Sequence, residues 1–198
     1  MDNHSVALAI GPAGTGKTHA AVGIAVSLHK VKYIHRIVVC RPAVGAGESN
    51  GFLPGTLEEK LRPYMVPIYE CIGKTASDVQ SGGIPGYVEL CTFEHMRGRT
   101  FDDAFVIIDE AQNATLTQLE MAMTRLGQGS KMIVCADPSQ CDLPEGRSGL
   151  KHIIEMFKDN EEIPMIQFRE TDNLRHPLVA MMTARFAAYR VSKKQKLN

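Results

Sequence analysis

The chain has 198 residues, enough for one well-buried domain and short for two. Its 22 Lys and Arg balance its 22 Asp and Glu, so no global field recommends nucleic acid or an anionic membrane as a partner. The five cysteines (Cys40, Cys71, Cys91, Cys135 and Cys141) are odd in number and form no C-x-x-C pair, which excludes a disulfide framework and a zinc ribbon and suits reduced thiols.

In chain order, short apolar β-branched runs alternate with helix-patterned segments, as in an α/β fold with a mainly parallel sheet. The apolar start, too short for a secretory leader, is the first strand (5–10), and no stretch is long enough to span a bilayer, so a cytoplasmic protein without membrane partners is expected. Further strands are expected at 36–40, 87–93, 105–109, 131–136 and 164–168. All are continuous apolar runs, as strands covered on both faces should be. Thr56 with Glu59 reads as a capping box ahead of Leu57 and Leu61, with Pro63 and Pro67 breaking or kinking that helix. Residues 75–86 are rich in Gly, Ser and Pro and read as a surface loop. A second capping box, Thr115 with Gln118, opens a stripe of Leu116, Leu119, Met123 and Leu126 that ends at Gly127. Leu150, Ile153, Ile154 and Phe157 form another stripe. Near the end, Pro177 suits a first helical turn with His176 as its cap, and Leu178, Met181, Met182 and Phe186 are expected on its buried side. One domain over 1–190 and a solvated basic tail over 191–198 result.

The chemistry concentrates where strands end. "GPAGTGKT" (11–18) fits G-x-x-x-x-G-K-[ST] between a strand and a helix. Gly11, Pro12, Ala13, Gly14, Thr15 and Gly16 form a loop whose N–H groups turn inward around phosphate oxygens, with the helix dipole behind them. Lys17 brings a cation to the β- and γ-phosphates, the Thr18 hydroxyl ligates Mg²⁺, and His19, entering the helix, is expected to complete the nucleotide-binding set. A dinucleotide fingerprint would need glycine at His19. "FVIIDEAQ" (105–112) closes a strand with adjacent carboxylates. Asp109 can hold Mg²⁺ and Glu110 can act as general base, which favours hydrolysis over transfer to an acceptor. No N-K-x-D guanine-reading motif occurs. Asp137 and Gln140 follow the next strand at the same edge, where Gln140 can sense the γ-phosphate. Arg97 and Arg99 flank Gly98 in "HMRGRT" and suit a phosphate contact on nucleic acid or on a nucleotide across an interface.

Taken in order, "GPAGTGKT", "RPAVGAGE", "GFLPG", "HMRGRT", "DEAQNAT" and "LRHPLV" resemble the PhoH-like family of phosphate-starvation-associated NTPases, from about Ala9 to Tyr189. The resemblance implies a three-layer RecA-like P-loop core related to the first motor domain of superfamily 1 helicases, with ATP as substrate and Mg²⁺ as cofactor. It also implies a ring-shaped homo-oligomer, a hexamer among the sizes to consider, and RNA or single-stranded nucleic acid as a partner. Arg41 stands where helicases touch the nucleic acid and would face the strand path or a neighbour. With one motor lobe in the chain, the missing cation for the transition state is assigned to Arg175, in its own subunit or a neighbour's, with Arg97 and Arg99 as rivals. Relatives carry an adenine-reading glutamine ahead of the first strand, whereas only Met1–His4 precede it here, so base preference stays open. Ala136 replaces a more usual glycine, and His95 an aromatic residue. Two rival classes are a small-molecule P-loop kinase, for which no arginine-rich lid is found, and a nucleotide-gated binding module with vestigial hydrolysis.

Overall fold

The computed structural model describes residues 3–42, 85–176, Ile68, Glu70 and Ile72, together with part of a helical segment beginning at Leu178. Its strands are β1 (Val6–Ile10), β2 (Arg36–Arg41), β3 (Val88–Thr92), β4 (Ala104–Ile108), β5 (Lys131–Ala136) and β6 (Met165–Gln167). Its helices are α1 (Lys17–Lys30), α2 (Phe93–Met96), α3 (Leu116–Met123) and α4 (Leu150–Phe157). The six strands form one sheet in the order β3-β2-β4-β5-β1-β6, and every pairing is parallel. All six expected strands are present, each within about a residue or two of its expected bounds.

The period-two alternation of a strand divides the core into two sets. Leu8, Ile10, Val38, Val106, Ile108, Met132 and Val134 face α3 and α4. Ala9, Ile37, Val39, Phe105, Ile107 and Ile133 face α1. Helices therefore cover both faces, giving three layers, and this double cover explains why β4 and β5 are buried at every position. Each fully buried Ile or Phe of these strands contributes about 1.5–3 kcal/mol. Helix α1 packs through Ala21, Val22, Ala25 and Val26, small enough to sit close on the sheet and hold the preceding loop in place.

Local start signals behave as expected at α3, where the Gln118 N–H donates to Thr115 Oγ1 and the Thr115 N–H donates to the Gln118 side chain. The helix stops at Met123, so Leu126 lies beyond it and bridges Phe101, while Leu116 is exposed. Gly127 ends this region because a Cβ there would meet the Phe101 carbonyl oxygen at 2.5 Å. The helical stripe near the end differs most from expectation. Leu178, Met181, Met182 and Phe186 are 57%, 48%, 46% and 65% exposed, where a buried face was expected. Periodicity marks an apolar face without saying what covers it. The Thr56–Glu59 capping box lies outside the described residues.

Candidate active site

Strand order decides what meets at the carboxyl edge. β5 separates β1 from β4, so the loop after β1, Asp137 after β5 and Asp109 after β4 stand side by side. The loop is tied to β5 at its root, where the Gly11 N–H donates to the Ala136 carbonyl at 3.1 Å. Gly14 (φ +83°) and Gly16 (φ +84°) take left-handed conformations that a side chain would oppose, which curls the loop around the α1 N-terminus. The Thr15 hydroxyl donates to the Pro12 carbonyl. Lys17 is buried, and its Nζ donates to the Gly11 and Pro12 carbonyls at 2.8 and 2.7 Å. The lysine thus lies coiled inside its own loop.

Asp109 is nearly inaccessible, with its side chain 3% exposed. Such a charge needs partners on both oxygens. Thr18 Oγ1 donates to Oδ1 at 2.7 Å, and Arg41 donates to Oδ2 from Nε at 2.8 Å and Nη2 at 2.5 Å. Arg41 therefore lines the cavity and neutralises Asp109, where the sequence suggested a residue facing a strand path or a neighbour. The sheet explains this: Cys40 pairs with Ile108, so the residues after each, Arg41 and Asp109, emerge together.

Glu110 takes a left-handed backbone (φ 55°, ψ 38°), unusual for a non-glycine residue, that turns the chain into a short 3₁₀ turn over Ala111–Asn113. Gln112, fully buried in that turn, links three parts of the site. Its Nε2 donates to Glu110 Oε2 at 2.5 Å and to the Gln140 carbonyl at 3.3 Å, while its Oε1 accepts the Asp137 N–H at 3.0 Å. Asp137 Oδ1 accepts from Ser139 through its N–H at 2.9 Å and its hydroxyl at 2.6 Å. Asp137 is buried, whereas Gln140 is exposed at the rim. Gln112 stands inside the quoted "FVIIDEAQ" and "DEAQNAT" runs, but the sequence reading gives it no role, because its partners are brought to it only by the fold.

From the far side of the loop, the segment after β6 closes the edge. The Leu174 N–H donates to the Gly14 carbonyl at 3.0 Å, and the Arg175 side chain lies against Gly14. Ala13, Gly14, Lys17, Thr18, His19, Arg41, Asp109, Glu110, Asp137, Gln140 and Arg175 all line one cavity of about 340 Å³. Arg175 therefore borders the phosphate loop of its own chain.

The remaining candidates lie elsewhere. Arg99 makes a two-point contact with Glu89, at 2.5 and 3.0 Å, and stacks 4.7 Å from the Phe101 ring centroid, with Arg36 also over that ring. The Glu89 carboxylate raises the Arg99 pKa above its ordinary value. Arg99 thus joins β3 to the Phe101 segment, where the sequence suggested a phosphate contact. Arg97 is exposed just past α2. Burial pushes the Cys135 thiol beside the cavity well up, reinforced by the Asp109 charge. The Cys40 thiol is pushed up by its hydrogen bond to Cys91, its register partner on β3.

A family model described as "PhoH-like protein" matches residues 1–187. The chain belongs to the PhoH-like family. It is 50% identical over 183 residues to the PhoH-like protein of Bacillus subtilis (strain 168), covering 91% of this chain and 57% of the relative. Against the PhoH-like protein of Synechocystis it is 44% identical over 185 residues, 90% of the chain and 56% of the relative. Protein PhoH of Escherichia coli (strain K12) is 41% identical over 183 residues, 90% of the chain and 52% of that protein. This PhoH-like chain therefore spans somewhat over half the length of the curated relatives it matches. Among solved structures, the large terminase of a thermophilic bacteriophage superposes with a TM-score of 0.60 at 14% identity, covering 93% of this chain and 45% of the terminase. Its complex with ADP gives 0.58 at 15% identity, over 90% and 44%. The likeness establishes a shared fold. Among the described residues no helix is long and apolar enough to cross a membrane.

Proposed function

We propose that this PhoH-like chain binds ATP or a related nucleoside triphosphate and hydrolyses its β–γ anhydride. The observation that carries the reading is the 2.7 Å hydrogen bond from Thr18 in the phosphate loop to Asp109 at the end of β4. It joins a phosphate-binding element to a buried carboxylate across one sheet edge, with Glu110 beside it. The ADP complex of the terminase, a protein of the same fold, supports nucleotide as the ligand.

The donor set fits Mg²⁺, because Thr18 Oγ1 and Asp109 Oδ1 are adjacent hard oxygens and this ion takes most of its remaining ligands from phosphate and water. Thr18 and Asp109 would hold the ion, which would supply neutralisation of phosphate charge. The chain supplies the rest. Lys17 Nζ exchanges the Gly11 and Pro12 carbonyls for phosphate oxygens. Glu110 takes the proton of the attacking water, and Gln112 keeps its carboxylate pointed while the reaction proceeds. Gln140 at the rim senses loss of the γ-phosphate, and Arg175 offers a cation to the transition state within its own subunit. Assembly into a ring, contact with RNA through Arg97, and a cytoplasmic location complete the proposal.

The test is Mg²⁺-dependent phosphate release by wild type, Lys17→Ala and Glu110→Gln. Lys17→Ala is expected to lose nucleotide binding and turnover together. Glu110→Gln is expected to keep binding and lose turnover by about a hundredfold or more. Full turnover by Glu110→Gln removes that residue as the base. Native mass measured with and without ATP and RNA tests assembly, and a strict monomer of full activity removes the ring.

A further inference from the structure

The cavity holds its own counter-ions. Among the described residues Lys17, Arg41 and Arg175 line it against the carboxylates of Asp109, Glu110 and Asp137, so neither sign is in excess. The carboxylates are not equally open. Asp137 Oδ1 accepts from the N–H and hydroxyl of Ser139, and its Oδ2 is buried without a hydrogen-bond partner, out of reach of an ion in the cavity. Asp109 has Thr18 on Oδ1 and the Arg41 fork on Oδ2, with Nε at 2.8 Å and Nη2 at 2.5 Å. The same Nη2 stands 3.9 Å from Glu110 Oε1. One guanidinium, 18% exposed, thus covers the nearly inaccessible carboxylate suited to a metal and reaches toward the next.

Charge-assisted bonds of this kind are about twice as strong as neutral ones. A bare divalent cation reaches Asp109 Oδ2 only by displacing them, and an ion such as Mg²⁺ gives up its own water reluctantly. A nucleotide changes the balance, because its phosphates bring negative charge both to the ion and to the guanidinium. We propose that Arg41 is a resident counter-ion that makes metal binding at Asp109 conditional on nucleotide, a role that rests on the reading of Thr18 and Asp109 as the Mg²⁺ site. Without nucleotide the arginine keeps free divalent cations off Asp109. With nucleotide the phosphates offer it another anion, and Oδ2 is released.

The test follows Mn²⁺, a hard cation that shares the oxygen ligands of Mg²⁺. It is counted as the excess on the protein side of an equilibrium dialysis, so turnover is not the readout. Wild type is expected to hold no Mn²⁺ at up to about 1 mM without nucleotide, and to hold it once ADP is present. Arg41→Gln keeps a hydrogen-bond donor and removes the charge. Its nucleotide-free affinity for Mn²⁺ is expected to rise by about tenfold or more, the lower end of the factor by which a neighbouring charge changes a carboxylate's hold on a proton. Arg41→Lys keeps the charge and is expected to exclude the ion as wild type does. Adding Asp109→Asn to Arg41→Gln is expected to abolish the new binding, which places it at Asp109. Should Arg41→Gln fail to fold by circular dichroism, Arg41→Met carries the same expectations. A smaller gain overturns the inference, as does binding by Arg41→Lys equal to that of Arg41→Gln, or binding that survives Asp109→Asn. So does Mn²⁺ held by nucleotide-free wild type below about 1 mM. A wild type that takes up no Mn²⁺ even with ADP overturns the metal reading itself, and this inference with it; the ADP arm distinguishes the two failures.

Discussion

Asp109 is a buried anion whose two oxygens answer to different parts of the chain, Thr18 to one and Arg41 to the other. Removing a single partner of a buried pair leaves an uncompensated charge, so Arg41→Ala is expected to lower unfolding free energy by about 3 kcal/mol in urea titrations. An unchanged midpoint would show that water reaches Asp109. Cysteine reactivity gives a second measurement at this scale. Cys40, Cys91 and Cys135 are buried, with Cys40 and Cys135 held protonated, while Cys141 is exposed. In the folded protein a maleimide is expected to label Cys141 and spare those three, read by peptide mass. Lys17, Thr18 and Asp109 were legible because each sits in a short contiguous pattern whose chemistry is local. The Arg41–Asp109 pair was not, because 68 residues separate the partners and only strand register brings them together. Asp137 was visible as a residue at the edge, but its free oxygen belongs to three dimensions.

Among elements, the phosphate loop shows how tightly this edge is assembled. A Cβ at Gly14 would meet Arg175 Cδ at 2.7 Å and Asn173 Oδ1 at 2.9 Å, and its φ of +83° disfavours any side chain. Gly14→Ala is therefore expected to cost about 1–3 kcal/mol and to weaken ADP binding, measured by thermal shift with and without ligand. A variant as responsive to ADP as wild type would mean that the loop and the Arg175 segment move apart freely. Helix starts were readable where a side chain caps the backbone, as at Thr115. Helix ends were less so: the stripe continues to Leu126 in sequence, but Thr124 already closes α3, because strand-like pairing with Phe101 competes for the next residues.

Across the whole molecule, the α/β class is dictated by unbroken apolar runs, whereas their lateral order is not. Strand order leaves no mark on the runs themselves, since even the edge strand β6, with Ile166 45% exposed, reads as an apolar run, and packing of the intervening helices selects β3-β2-β4-β5-β1-β6. Core and periphery also separate by tertiary context. Phe105 is fully buried and Phe186 is 65% exposed, although both occupy apolar stripes. Phe105→Ala is expected to cost about 3–5 kcal/mol and Phe186→Ala less than about 0.5 kcal/mol, by chemical denaturation of the chain at low concentration. A large loss at Phe186 that grows with protein concentration would mean that a second copy covers it.

The placement of β5 acts as a gauge. Neighbouring strands run about 4.8 Å apart, so one strand between β1 and β4 sets their ends roughly 10 Å from each other. That width admits a phosphoryl group with a water behind it, whereas strands in direct contact would leave half the room. The backbone alone thus measures out the gap between the element that carries Lys17 and the one that carries Glu110, and the strand that sets the gap also carries Asp137 at its end.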